Sequence, residues 1–259
     1  MSRRRTWLLA ASLGNLLFLY APVAVLIVFS FNASRLSATW QGFTLQWYRV
    51  LAEDEALLAA VQNSLLVGLA STVIATVLGV CAAVALERCP FRGQRVVEGV
   101  LLLPLVIPEV MLGVALMLFF VSIQLPLSLV TVTIGHAAFN VPIVVVIVRA
   151  RLRKLDPALE EAARDLGASA WQAFRCVTLP LLMPAILGAT LLAFTISLDD
   201  FIVTFFTAGP GATTLPLKVY SMVKSTVTPE INALSAILVL VSMALVGASL
   251  VLQRKPVRA

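Results

Sequence analysis

Four ionisable side chains lie inside long apolar stretches of this sequence. Glu109 follows a proline in one stretch, His136 lies in the next, and Asp199 and Asp200 are adjacent in a later one. A charge at the depth of a lipid bilayer is costly, and such groups usually face a protein interior or a solute pathway. The acids therefore predict either a structural ion network with a connector lysine such as Lys218, or a pathway that attracts cations.

The histidine and the adjacent aspartates each predict a particular kind of contact. Asn140 lies one helical turn after His136, on the same face of a predicted helix. We expect both side chains to make hydrogen bonds between packed helices, because polar groups in membrane spans commonly do so. Asp199 and Asp200 point about 100° apart on one helix, so they cannot together form the carboxylate dyad of an aspartyl protease.

A polar stripe runs along the apolar stretch that contains the two aspartates. Its members recur at intervals of seven, three, four and three residues: Thr190, Ser197, Asp200, Thr204 and Thr207. This spacing predicts one face of one continuous helix. Asp200 lies on that face, whereas Asp199 is offset from it together with Thr195. We expect the face to contact protein or water rather than lipid.

The chain that must position these groups has the composition of a membrane protein with several spans. Of its 259 residues, 60% are hydrophobic and 12% are charged, whereas soluble domains are about half apolar and a quarter charged. The apolar runs predict an all-α domain over 1–259 with six transmembrane helices, at about 7–31, 61–86, 99–121, 128–148, 181–206 and 231–252. Pro104 and Pro108 are expected to break the third span.

Basic residues are concentrated on one side of the predicted bundle. Six spans place both termini on that side, and its segments 1–6, 87–98, 149–180 and 253–259 hold 15 of the 19 lysines and arginines. Such a bias marks the cytoplasmic side of a membrane protein. It predicts cytoplasmic N and C termini, and it accounts for the net charge of +6 without a nucleic-acid partner.

The segment 149–180 is the long polar, charge-rich interval between the fourth and fifth predicted spans. It predicts a helix over 156–166, a turn at Gly167 and a second helical arm over 169–177. Pro180 either ends the second arm or begins the next span. The expected result is a helix-turn-helix elbow on the cytoplasmic face that presents a surface to a partner. An ordinary amphipathic loop is the alternative.

The spacing within this elbow resembles the EAA loop of permeases from bacterial ABC importers. In that loop Glu-Ala-Ala is followed after three residues by glycine, and after nine more by Ile-x-Leu-Pro. Here the corresponding positions are Glu161, Ala162, Ala163, Gly167, Val177, Leu179 and Pro180, so valine replaces isoleucine. The resemblance implies that this loop docks into a groove of a separate ATPase subunit and couples it to the spans.

Other segments resemble the spermidine/putrescine permeases within that family. The match extends over nearly the whole chain, and the segments that carry it are 31–35, 40–48, 196–200, 209–211, 215–224 and 229–234. Glu109 stands where that family commonly has aspartate. The resemblance implies a heterodimer with a second, homologous permease subunit, a dimer of cytoplasmic ATPase subunits and a periplasmic polyamine-binding protein, all at a bacterial inner membrane.

A polyamine carries several ammonium groups that must exchange water for protein oxygens and aromatic faces. We therefore expect a substrate path that includes Glu109, Ser197, Asp199 and Asp200, with Trp47 near its outer mouth. We expect no catalytic residue, metal site or cofactor. The chain has no phosphate-binding GxxxxGK[ST] motif and cannot be its own ATPase.

Three alternatives come from other classes of protein. An ABC permease for another solute, such as an anion, is disfavoured because no lysine or arginine lies within a predicted span. An ATP-independent cation channel or secondary transporter could use the same acids but would not need the elbow. An intramembrane aspartyl protease would need a dyad or a Gly-x-Gly-Asp motif, and the sequence has no such motif.

Overall fold

The computed structural model describes residues 2–34, 39–225 and 228–253. In chain order, its α-helices are α1 Ser2–Phe29, α2 Gln46–Glu53, α3 Glu55–Arg88, α4 Gln94–Leu102, α5 Glu109–Ser122, α6 Leu129–Leu152, α7 Ala158–Asp165, α8 Ala170–Ala173, α9 Leu179–Asp199, α10 Ile202–Thr207, α11 Leu215–Ser225 and α12 Pro229–Gln253. Within these ranges the one β contact is an isolated antiparallel bridge between Asn32 and Phe43. The expected all-α class is confirmed.

Several helices are long and apolar enough to cross a membrane. Within the described ranges they are Trp7–Phe29, Glu55–Arg88, Leu129–Leu152 and Ala170–Asp199. The pair Gln94–Leu105 and Glu109–Ser122 is a further candidate, bent by 108°. The bend falls where Pro104 and Pro108 predicted a break, because proline lacks the N–H that continues a helix. By length and composition, four helices of the described residues could cross a membrane, or five if the bent pair is one span, and the count of six stays a prediction.

The chain divides into two compact units. The first comprises Met1–Leu58 and Val219–Ala259, and the second comprises Ala59–Lys218. In the first unit, α1 and α2 both pack against α12. In the second, α6 packs against α9, and α10 packs against α5 and α6.

The core of the second unit lies between α3, α6 and α9. Its buried apolar side chains include Ala83, Val144, Val145, Val148, Leu182, Ile186, Ala189 and Ala193. Gly79 allows α3 to approach α6 closely, since a Cβ there would lie 2.6 Å from the Cβ of Val144. Small residues at such crossings let membrane helices pack backbone against backbone. This close packing positions the polar side chains described below.

The predicted fifth span at 181–206 is not one helix. Helix α9 ends at Asp199, Asp200 has an extended backbone with ψ of 123°, and α10 begins at Ile202. The Asp200 carboxylate accepts the backbone N–H groups of Val203 at 3.3 Å and Thr204 at 2.9 Å. A short acidic side chain that binds nearby N–H groups competes with helix continuation. The prediction that the polar stripe lies on one continuous helix is therefore wrong.

The elbow has the predicted arms and turn. Helix α7 is followed by Gly167 with φ of +91°, a conformation that favours glycine. The second arm comprises α8 and a π-helical segment, Phe174–Thr178, which runs directly into α9. Pro180 is the second residue of α9, directly after the π-helical segment. The cytoplasmic location of the elbow stays a prediction.

Candidate functional site

His136 joins three elements of the second unit. It is almost fully buried, with 1% of its surface exposed. Its Nδ1 lies 2.6 Å from Ser197 Oγ on α9, and its Nε2 lies 2.9 Å from Thr204 Oγ1 on α10. The same Nε2 lies 3.0 Å from Asp200 Oδ2, between the two helices. The expectation that His136 makes interhelical hydrogen bonds is confirmed.

Ser71 of α3 extends this group of side chains. Its hydroxyl lies 3.0 Å from Ser197 Oγ. We call Ser71, His136, Ser197, Asp200 and Thr204 the His136 network. Buried polar groups in a low-dielectric interior are stable only when their hydrogen bonds are satisfied. The network meets that condition with donors and acceptors from α3, α6, α9 and α10, and from Asp200 between the last two.

Asn140 does not join the network. It is fully buried, and among the described residues neither atom of its side-chain amide has a hydrogen-bond partner. The expectation of an interhelical hydrogen bond is wrong for this residue. The hydroxyls of α9 and α10 meet α6 at His136, whereas Val144, one turn beyond Asn140, already belongs to the apolar core.

Glu109 and Asp199, the other two predicted acids, are exposed. Asp199 is the last residue of α9, and Thr195, one turn earlier, is exposed as well. Glu109 is the first residue of α5, immediately after the sharp bend. These carboxylates are therefore available to a solute, to water or to another subunit.

Trp47, predicted for the outer mouth of the path, belongs to the first unit. It is 4% exposed, and its indole N–H donates to the Asn32 carbonyl at 2.7 Å. The neighbouring Tyr48 hydroxyl lies 2.7 Å from Ser30 Oγ. The polar atom of Trp47 is thus engaged in folding the connector between α1 and α2.

Glu160 anchors the elbow, although only its neighbour Glu161 was singled out in the sequence. Glu160 is buried, pairs with Arg88 at the end of α3, and accepts the Thr178 hydroxyl at 2.8 Å. Burial raises the pKa of Glu160, but the hydrogen bonds from Arg88 and Thr178 outweigh it and hold the pKa below its usual value. Glu161 is exposed. The Glu-Ala-Ala spacing distinguished Glu161 from its neighbour, whereas the burial of Glu160 depends on contacts with residues far away in the sequence.

A second ion cluster joins α4 to the C-terminal ends of α3 and α6 in the same unit. Arg149 contacts Glu87 at 3.2 Å and Glu98 at 2.6 Å, and Arg153 contacts Glu87 at 3.0 Å. The sequence identified these arginines only as markers of membrane orientation. Here they also hold the helix ends from which the elbow departs.

The outer surface of the elbow is apolar around its turn. Leu166, just before Gly167, is 90% exposed, and Trp171 in the second arm is 67% exposed. The motif residues Ala162, Gly167 and Pro180 are exposed too, while Ala163 and Leu179 are half-buried. Exposed apolar side chains of this size mark interaction surfaces.

Residues 75–255 match the model of the family described as "Binding-protein-dependent transport system inner membrane component". This match covers more than half of the chain. The chain belongs to this family. Its members are transport components rather than enzymes, which confirms the expectation that this permease-like chain is no enzyme and leaves the protease alternative without support.

Curated relatives of this inner-membrane component support the same assignment. The chain is 43% identical over 237 residues to the spermidine/putrescine transport system permease protein PotC of Escherichia coli (strain K12), covering 92% of this chain and 90% of PotC. It is 42% identical over 251 residues to the putrescine transport system permease protein PotI of the same strain, covering 94% and 89%. The resemblance inferred from the sequence is confirmed.

The fold of this chain is also found in a solved structure. The chain matches a chain of a bacterial alginate ABC transporter, solved in complex with an alginate pentasaccharide-bound periplasmic protein. The TM-score is 0.76 at 19% identity, over 99% of this chain and 97% of the other. At this identity the likeness establishes the architecture of an ABC importer permease and nothing about the solute.

Proposed function

We propose that this chain is the permease subunit of an ATP-driven ABC importer that takes up polyamines such as spermidine and putrescine. The observation that carries the proposal is the 43% identity to PotC over 92% of the chain. In this proposal the chain crosses the inner membrane six times with cytoplasmic termini. The bias of 15 of the 19 basic residues toward one side supports that orientation.

The proposed assembly contains a second permease subunit, a cytoplasmic ATPase dimer and a periplasmic polyamine-binding protein. The ATPase would contact the elbow, where Leu166 and Trp171 expose apolar surface on either side of Gly167. The motif residue Glu161 is exposed beside them. The exposed charge of Glu161 could contact the ATPase, and the positive φ of Gly167 gives the turn a defined backbone shape.

The proposed substrate path uses the exposed acids for direct contact. Glu109 and Asp199 carry carboxylates that can replace the hydration of ammonium groups. Ser197 and Asp200 belong to the same proposed path, but their side chains are buried, and we place them behind the exposed acids. Trp47 of the first unit, predicted for the outer mouth of the path, is buried as well. Affinity at this path must be weak enough to release the solute inward.

Uptake by the reconstituted complex tests this function. Proteoliposomes that contain the chain with its partner subunits and binding protein are supplied with labelled spermidine, putrescine or 2-aminoethylphosphonate. We expect uptake of the polyamines only when ATP is present on the ATPase side. Polyamine flux without ATP would favour a channel or secondary transporter, and uptake of the phosphonate alone would assign the chain to another solute.

Thiol labelling tests the orientation. In a background without Cys81, Cys89 and Cys176, Ala52→Cys should react with a membrane-impermeant reagent added outside, since Ala52 is exposed. Ala168→Cys, beside the turn of the elbow, should react only after the inner face is opened. Labelling of position 168 from outside would overturn both the orientation and the proposed contact with the ATPase.

A further inference from the structure

Two adjacent carboxylates at the end of α9 have opposite surroundings. Asp199 is exposed, whereas the side chain of Asp200 is only 6% exposed. The sequence assigned both to the substrate path, with Asp200 on the polar stripe and Asp199 offset from it. Because the structure separates them so sharply, the two acids cannot serve a solute in the same way.

The Asp200 carboxylate is already occupied by protein donors. It lies 3.0 Å from His136 Nε2, and accepts the Thr204 hydroxyl at 3.0 Å and N–H at 2.9 Å. The Val203 N–H donates to it at 3.3 Å. Four donors approach the number that one carboxylate can accept. An incoming ammonium group would therefore have to displace contacts that hold the start of α10.

The His136 ring connects this carboxylate to the preceding helix. A carboxylate only accepts hydrogen bonds, so Nε2 carries the proton, and Nδ1 faces the Ser197 hydroxyl at 2.6 Å. Ser197 precedes Asp199 by two residues on α9, and Asp200 follows it by one. His136 thus holds the chain on both sides of Asp199, from the neighbouring helix α6.

We propose that His136 is a positioning residue for solute transport: by bridging Ser197 and Asp200 it fixes the break between α9 and α10, and this break presents Asp199 to the solute. The inference rests on the proposed function for its transport part. Its geometric part, the orientation of residue 199, holds whichever solute is carried. Asp200 then acts through the fold, and Asp199 acts on the solute.

A double-mutant cycle tests the transport part in the reconstituted complex. His136→Gln, Asp199→Asn and Asp200→Asn are each expected to lower the uptake ratio Vmax/KM for spermidine about tenfold, mainly through KM. If His136 acts through Asp199, adding His136→Gln to the Asp199→Asn variant should lower Vmax/KM by less than about a further twofold. Glu109→Gln, on α5, is the matched control, and its effect should multiply with that of His136→Gln. The proposal would be overturned if the loss of Vmax/KM in the double variant of His136 and Asp199 equalled the product of the losses in the two single variants.

Thiol labelling tests the geometric part without any transport. In the cysteine-free background, Asp199→Cys and Thr195→Cys are labelled with a cationic thiol reagent, with and without Thr204→Val or His136→Gln. Both variants should change the labelling rate at 199 by about threefold or more, and leave the rate at 195, on the unbroken part of α9, unchanged. Equal rates at 199 in all backgrounds would refute the positioning role. A complex that imports no polyamine, yet shows the shift at 199, would refute only the proposed function.

Discussion

One carboxylate holds the break that follows helix α9, another anchors the elbow that precedes this helix, and their surroundings differ. Asp200 lies within the bundle, where His136 and the start of α10 supply its hydrogen bonds. Glu160 lies in the elbow and pairs with Arg88, whose side chain is 32% exposed. The comparison teaches that a carboxylate at bundle depth requires fixed protein donors, whereas water can replace a donor at the edge. Substitutions at the break between α9 and α10 should therefore reduce stability and uptake more than substitutions at the elbow.

The largest effect is expected for Asp200. Asp200→Ala removes the acceptor of His136 and of the α10 N–H groups, and breaking a buried pair typically costs about 3–5 kcal/mol. We expect spermidine uptake to be abolished and the thermal unfolding temperature of the purified complex to fall. Asp199→Ala is the matched control, because it removes the exposed neighbour. It should lower uptake but leave the unfolding temperature unchanged, and equal destabilisation by both would contradict the comparison.

A smaller effect is expected at the elbow. Glu160→Gln keeps the shape but loses the charge that pairs with Arg88, which should cost about 1–2 kcal/mol for a partly exposed pair. We expect spermidine-stimulated ATP hydrolysis to fall severalfold in the reconstituted complex. Glu161→Gln changes the exposed neighbour and should leave the unfolding temperature of the chain unaltered. A lower unfolding temperature for Glu161→Gln than for Glu160→Gln would show that the anchor is misassigned.

Sequence reasoning succeeded where local chemistry decides the structure. The positive φ of Gly167 and the bend beside Pro104 and Pro108 follow from the backbone limits of glycine and proline. The family resemblance of the elbow followed from spacing that needs no tertiary information. The buried position of His136 followed from the cost of a polar group within an apolar span.

Sequence reasoning failed where tertiary packing decides between similar residues. The polar stripe separated Asp200 from Asp199, but it could not reveal that α9 ends at Asp199 or that the Asp200 carboxylate pairs with His136 on another helix. Glu160 and Glu161 differ in the same way, through Arg88 and Thr178. These choices depend on residues far apart in the chain, which a periodic pattern within one segment cannot reveal.

The smallest effect is a dependence on pH at the elbow. Burial raises the pKa of the Glu160 carboxyl. The hydrogen bonds from Arg88 and Thr178 outweigh this effect and place the pKa below its usual value. A lowered pKa contributes stability above the unfolded-state value of about 4.3, and this stability is lost as the pH falls through the folded-state pKa. The difference in unfolding temperature between the native chain and Glu160→Gln should stay constant from about pH 8 to 5 and shrink below about pH 4. Shrinkage already between about pH 8 and 6 would point to another group.

One measurement distinguishes the role of the break between α9 and α10 from the role of the elbow most directly. It is the ratio of spermidine imported to ATP hydrolysed, determined in the same proteoliposomes together with the KM for spermidine. For His136→Gln we predict a raised KM and an unchanged ratio at saturating spermidine, because the break between α9 and α10 presents Asp199 to the solute. For Glu160→Gln we predict an unchanged KM and a lowered ratio, because the elbow transmits ATPase motion. The opposite pattern, with a lowered ratio for His136→Gln and a raised KM for Glu160→Gln, would contradict the account.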